Sequence, residues 1–262
     1  MFSNVFLKTL YTKRWSTLAW AVGLGALIVF TMSFFPTFKE VGQSFNDVPE
    51  SLRSFLGDAT AYSTIAGFAD LQIISQYVFM TLIMGILLLT GLLAGEEGNG
   101  TLQSLLVHPV SRGKVYVQKL LAGAVLVAAV CVMIGLSVLV GALLVHEHIS
   151  VSRLAEAALA MWLVTMLFSS WGYALGAAMG RRAVAGVLAG ALAFVTYLVT
   201  SLAESVKALR VVDKLSPFHY FNHPGILAHG LEWGDMAILV VITLIPLILA
   251  YVIFTKRDIY QQ

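Results

Sequence analysis

Six stretches of the chain run for about 20 residues or more with scarcely a charge, at about 16–36, 72–95, 115–145, 157–180, 183–203 and 236–255. A helix needs roughly 20 apolar residues to cross a hydrocarbon core about 30 Å thick. The bilayer interior offers no water to unpaired backbone groups, so each stretch predicts a transmembrane helix. The runs are unbroken, whereas the strands of an outer-membrane barrel would alternate apolar and polar residues with period two. The pattern is that of an all-α, polytopic membrane protein organised as a single transmembrane domain over 1–262. Ahead of the first run, Phe2, Val5, Phe6 and Leu10 fall at helical spacing while Lys8, Lys13 and Arg14 supply charge. This predicts an interfacial helix over 1–14 lying in the headgroup plane, against the alternative of a frayed polar tail. The run from Leu18 to Phe35 is too long for a signal peptide's apolar region and no small-x-small site follows, which predicts a retained span.

Composition supports the class. Apolar residues make up 59% of the chain and charged ones only 11%, with a mean hydropathy of +0.87. A soluble domain carries about a quarter charged residues. The charges also orient the chain. With the N-terminus inside, the inner segments hold Lys8, Lys13, Arg14, Arg112, Lys114, Lys119, Arg181, Arg182, Lys256 and Arg257, the majority of the 16 basic residues. Positive-inside bias then places both termini in the cytoplasm and the protein in the cytoplasmic (inner) membrane as a multi-pass chain. The two-residue basic turn Arg181-Arg182 between the fourth and fifth spans fits an inner loop.

Two segments are then assigned to the outer side. Residues 37–71 carry Glu40, Asp47, Glu50, Asp58 and Asp70 and predict a small solvated cap with a short helix near Pro49 to Leu56. Residues 204–235 are too apolar for a free loop. The run Ser216-Pro217-Phe218-His219-Tyr220-Phe221 suits an embedded helix pair or a re-entrant segment whose backbone is covered by protein or lines a water-filled cavity.

Conventional catalytic patterns are missing from the sequence. It contains no Gly-x-x-x-x-Gly-Lys-[Ser/Thr] phosphate loop, no His-Glu-x-x-His pair and no Gly-x-Ser-x-Gly turn. Five of the six histidines fall on the outer side, at 146, 148, 219, 223 and 229. His219 and His223 share an i, i+4 spacing, but Pro224 interrupts a helix there, and interfacial histidines near span ends explain them better than a metal site. No metal ligand is assigned. The single Cys131 lies within the third span and reads as a packing residue. Basic residues are scattered along the membrane edge with no continuous stripe, which argues against nucleic acid as a partner.

The spans have uncharged centres, with charges stopping at their ends, which argues against a self-contained proton- or ion-driven pathway. Gly172, Gly176 and Gly180 form a small-x-x-x-small row on the fourth span, and Gly186 and Gly190 another on the fifth. Such rows let backbones approach, either within one subunit or between two. Ser137, Thr165, Ser169, Ser170, Thr196, Thr200 and Ser201 are candidates for lining a cavity in the membrane. Uncharged spans favour an amphiphilic or lipid-like cargo over a bare ion.

Against this background the inner segment 96–114 stands out. Gly98 and Gly100 break the preceding span, Asn99 or Thr101 can cap a new helix, and Leu102, Leu105 and Leu106 fall on one face before Pro109 stops it. Glu96 and Glu97 precede this short amphipathic helix, and Arg112 and Lys114 follow. A helix with an apolar ridge and charged flanks is suited to a cleft on a soluble partner, the alternative being a helix merely anchored in the headgroups.

The succession Gly95-Glu96-Glu97, Gly100-Thr101-Leu102, Leu105-Leu106, Pro109-Val110-Ser111-Arg112 and Lys119, set between two apolar spans, resembles the permease subunits of type-2 ATP-binding-cassette (ABC) exporters. Six spans, an amphipathic N-terminus, a long outer segment before the last span and the ending Lys256-Arg257-Asp258 carry the resemblance along the whole chain. One departure is Gly98, where the family often has a basic or polar residue. The resemblance implies two permease subunits, as a homo- or heterodimer, each docking a coupling helix on a separate cytoplasmic ABC ATPase. ATP and magnesium then belong to the ATPase, and this chain binds no cofactor and is not itself an enzyme. It also implies a docking role for Glu96, Glu97, Gly100, Thr101, Leu102, Leu105, Leu106, Pro109 and Arg112, and an outer-gate role for 204–235. Two other classes stay open: a membrane subunit that couples ATP hydrolysis to an extracytoplasmic partner without transport, and a membrane-embedded enzyme.

Overall fold

The computed structural model describes residues 4–44, 59–102, 111–203, 206, 208–221 and 225–257. Six helices are long and apolar enough to cross a membrane: α1 (Val5–Met32), α3 (Ile65–Leu92), α5 (Arg112–Leu144), α6 (Val151–Met179), α7 (Arg182–Ala203) and α11 (Trp233–Lys256). Shorter helices connect them, namely α2 (Phe35–Ser44), α4 (Ala94–Gly98), α8 (Leu209–Asp213), α9 (Pro217–Phe221) and α10 (Ile226–His229). No strand occurs among the described residues. The all-α, six-span reading holds.

The amphipathic N-terminal stretch is continuous with the first span rather than a separate element. Asn4 caps it by accepting the Phe6 N–H at 3.1 Å, and no glycine or proline interrupts the chain before Gly23. At about 1.5 Å per residue α1 is roughly 42 Å long, enough to carry its basic first turns beyond the hydrocarbon. The second span also begins earlier than expected, because one π-helical turn at Asp70–Ile74 joins Ile65–Ala69 to Ser75–Leu92. Asp70 therefore belongs to α3. The short helix expected near Pro49 to Leu56 lies outside the described residues.

Helix α6 is the centre of the bundle and packs against α3, α5, α7 and α11. Small residues bring the helices together. A Cβ on Gly172 would meet the Thr90 methyl at 2.9 Å and Ala189 at 3.4 Å, and one on Gly176 would meet Ala94 at 3.2 Å. These two glycines thus face α3, α4 and α7 of the same chain. Gly180 plays a different part: it ends α6 in the left-handed region (φ 68°), where a glycine avoids the Cβ clash. Within the chain the row serves for packing and capping. On the periphery, α1 packs along α5, with Gly25 beside the Ser137 hydroxyl. Helix α7 is the least covered span, with 17% of its apolar window buried against 56% for α6.

Between α7 and α11 the described residues divide: Ser216, Phe218, Phe221, Ile226 and Leu227 are buried in the bundle, whereas α8 has no buried residue. Phe218 stacks on Phe168 at 5.3 Å and meets Tyr197 at 5.6 Å. Groups from the spans hold this buried part. Asp70 accepts the N–H of Leu227 at 3.1 Å and of Ala228 at 3.3 Å, Glu156 accepts the N–H of Leu231 at 3.1 Å, and the Ser216 hydroxyl donates to the Thr196 carbonyl at 2.9 Å. His219 pairs with Asp213 at 2.7 Å, while His223 is outside the described residues. Three short helices replace the expected pair, since Ser216-Pro217 and Gly225 each interrupt the backbone.

Gly172→Leu inserts a side chain into a closed three-helix contact, and overpacking of this kind costs about 1–3 kcal/mol. Thermal unfolding of the purified protein is expected to show a clear loss of stability for Gly172→Leu. Gly234→Leu, where nothing stands within 4 Å of an added Cβ, is expected to unfold like the parent.

Candidate functional site

The end of the bundle that carries α4 is held together by charge. Helix α3 is interrupted at Leu93, whose backbone stays in the right-handed region but widens to φ −111° (ψ −66°), and α4 adds one turn bearing Glu96 and Glu97. Gly100 then turns the chain in the left-handed region (φ 72°), and helical backbone resumes at Thr101 and Leu102. Thr101 closes the turn by donating its hydroxyl to the Glu96 carbonyl at 3.2 Å. Leu102 is fully buried, which pins the chain to the bundle at this point.

Both carboxylates point back into the bundle. Glu96 forms an ion pair with Lys119 of α5, whose side chain is 1% exposed while that of Glu96 keeps 33%. The ammonium also donates to the Leu92 carbonyl at 2.6 Å, one of the last carbonyls of α3. A cation at a helix C-terminus is favourable, and here it joins the end of α3 to α5. Glu97, with 10% of its side chain exposed, pairs with Arg257 just beyond α11. Arg257 donates further to the Ala177 carbonyl near the end of α6 at 2.9 Å, and its own carbonyl accepts from Arg112. Residues 96, 97, 112, 119 and 257 thereby tie α4 to α5, α6 and α11.

The residues singled out in the sequence divide three ways. Glu96, Glu97, Gly100, Thr101, Leu102 and Arg112 gather at this end, with the acidic pair and Leu102 engaged by their own chain. Leu105, Leu106 and Pro109 lie outside the described residues. Lys119 and Arg257 complete the network and carried no role beyond flanking charge and family pattern. Lys119 had a readable signal: it sits two turns inside α5, and a basic residue at that depth needs an acid. Arg257 offered no such signal, because its partners come from residues 80 and 160 positions away.

The hydroxyls named as cavity candidates are divided as well. Thr165 donates to Thr81 at 3.1 Å in the buried centre, and Ser169 is buried without a hydrogen bond. Thr200 and Ser201 do line a cavity of about 180 Å³ with Ser75, Phe79, Tyr197 and Phe218, beneath the embedded segment.

Lys119→Met leaves Glu96 facing the bundle without its cation. Breaking a fully buried pair costs about 3–5 kcal/mol, and the partial exposure of Glu96 reduces the expected loss to roughly 2–3 kcal/mol. Adding Glu96→Gln is expected to restore much of it. Unfolding of the two single variants and the double variant checks this through the coupling energy of the cycle.

A search of curated proteins finds no match to the chain. The family model described as ABC-2 family transporter protein matches residues 3–259, nearly the whole length, and includes the six spans and the charged end just described. The chain belongs to the ABC-2 family of transporter proteins.

Proposed function

We propose that this ABC-2 transmembrane permease is the membrane subunit of an exporter driven by a separate cytoplasmic ABC ATPase, with 96–114 as the coupling segment. The observation that carries the reading is the double ion pairing of α4, Glu96 to Lys119 and Glu97 to Arg257. A segment merely resting in the headgroups needs no rigid link to the spans. One that transmits force does, and these pairs make α4 continuous with α5, α6 and α11. The acidic pair then anchors the coupling helix, while Leu105 and Leu106 meet the ATPase and Arg112, bonded to the Arg257 carbonyl, borders that contact. ATP and magnesium act in that partner.

In this reading the end carrying the termini and α4 faces the cytoplasm, and the embedded segment between α7 and α11 is the outer gate. Its attachment to Asp70 and Glu156 favours a moving part of a translocation path over a surface projecting toward an extracytoplasmic partner. A second permease subunit covers α7, where Val187, Phe194 and Val195 are exposed and nothing stands within 4 Å of a Cβ on Gly186 or Gly190. Small residues on an open apolar face suit close helix pairing in a membrane. The cavity beside Thr200 and Ser201, walled by aromatic rings, fits part of an amphiphilic cargo.

Affinity purification of the tagged protein from native membranes tests the partner. A stoichiometric ATPase is expected with the parent, and Leu105→Asp, which places a charge on the docking ridge, is expected to lose it while the spans stay folded. Undiminished ATPase binding by Leu105→Asp would overturn the assignment of the ridge.

A further inference from the structure

At the same end of the bundle, a pocket of about 190 Å³ lies between α1, α3 and α7. Lys13, Ser16, Thr17 and Trp20 enter it from α1 at spacings of three, one and three residues, which is one helical face. Arg182 enters from the first residue of α7, the positive end of that helix. Met84 and Leu88 form an apolar wall.

The polar groups here are sparsely engaged by protein: the Arg182 guanidinium donates to the Leu87 carbonyl at a long 3.4 Å. Among the described residues, Lys13 and Arg182 have no carboxylate partner. The two acids of α4, Glu96 and Glu97, are taken by Lys119 and Arg257. Several hydroxyls elsewhere on the spans donate to the backbone one turn earlier, as Thr9, Thr90, Thr196 and Thr243 do. Ser16, Thr17 and the Trp20 indole make no such bond among the described residues. The pocket thus offers two cations, two hydroxyls and an indole N–H, with no acid in its lining. A volume several times the roughly 30 Å³ of a water suits a larger anionic group.

A second cavity extends from it. Ser16 and Trp20 also border an apolar groove of about 390 Å³ that runs past Ala19, Gly23 and Leu27 of α1 to Met80 of α3. An added Cβ on Gly23 would meet nothing within 4 Å, so the groove is open there. A cationic, donor-rich head beside an apolar channel along a span has the shape of one amphiphile. Basic pockets between transmembrane helices bind lipid headgroups by this chemistry.

We infer that the seam between α1, α3 and α7 is a binding site for an anionic glycerophospholipid of the adjoining leaflet, with its phosphate held by Lys13, Arg182 and the Ser16–Trp20 face and an acyl chain in the groove beside Gly23. The site rests on the six-span fold and not on the ATPase partner. Such a lipid joins α1 to the poorly covered α7.

The test uses full-length protein, delipidated in detergent and supplied with phosphatidylglycerol or phosphatidylcholine, read by native mass spectrometry and thermal unfolding. The parent is expected to retain a single phosphatidylglycerol and to melt several degrees higher with it than with phosphatidylcholine. Lys13→Gln with Arg182→Gln should lose both effects, and Lys13→Gln alone, which breaks no hydrogen bond among the described residues, should weaken them. Lys114→Gln with Lys256→Gln removes equal charge from the same end and should keep both. Gly23→Leu fills the groove with all charges in place and should lose the retained lipid. The inference is overturned if the parent does not distinguish the two lipids, if the Lys114/Lys256 variant loses as much as the Lys13/Arg182 variant, or if Gly23→Leu retains the lipid. A full shift with inorganic phosphate alone would equally exclude a lipid site.

Discussion

The ammonium of Lys119 enters a helix bundle with few other charges in its interior, and it cannot stay there alone. Desolvating an isolated charge costs several kcal/mol, so Lys119 requires an acid within reach and further acceptors around it. Glu96 and the Leu92 carbonyl meet that requirement, and in doing so they fix where α3 ends and how α4 leaves it. The neighbouring pair, Glu97 with Arg257, extends the same constraint to the end of α11 and to α6 through Ala177. The geometry of the segment after α3 is therefore set by the spans it connects to.

The opposite end obeys the same rule with the roles exchanged. Irregular backbone between α7 and α11 carries N–H groups that a membrane leaves unsatisfied. Asp70 and Glu156, from two different spans, accept them. Acids on the spans thus hold one irregular segment by its backbone, and at the other end acids on the segment are held by cations on the spans. The middle of the bundle needs no such devices, since Gly172 and Gly176 let α6 approach its neighbours closely enough for packing alone to hold it.

These differences explain what was legible in the sequence. Span number and approximate limits follow from hydropathy, which acts locally. The break after α3 is equally visible, because Leu93-Ala94-Gly95 ends an apolar run in two glutamates and Gly98 and Gly100 follow. The direction of the two carboxylates was not legible. A Gly-Glu-Glu run beside a basic loop looks like an exposed contact surface; the depth of Lys119 in α5 calls for an acid, but only tertiary structure shows that Glu96 supplies it and that Arg257 meets Glu97. Gly180 misled in the same manner: its four-residue spacing from Gly176 matches a packing row, yet its left-handed backbone makes it a helix cap. Asp70 looked like a solvated outer acid because the π-helical turn that carries it into α3 leaves no pattern in hydropathy.

If the ion pairs make α4 and the ends of α5 and α11 one body, that body should move as a unit when the proposed ATPase closes. Spin labels at Gly98 and Lys256, with the pair distance followed in the assembled complex before and after ATP binding, measure this directly. The predicted result is an unchanged distance between the two labels within a chain, together with a changed distance from Gly98 to the same site on the second permease subunit. A distance between Gly98 and Lys256 that shifts with nucleotide would contradict the rigid link.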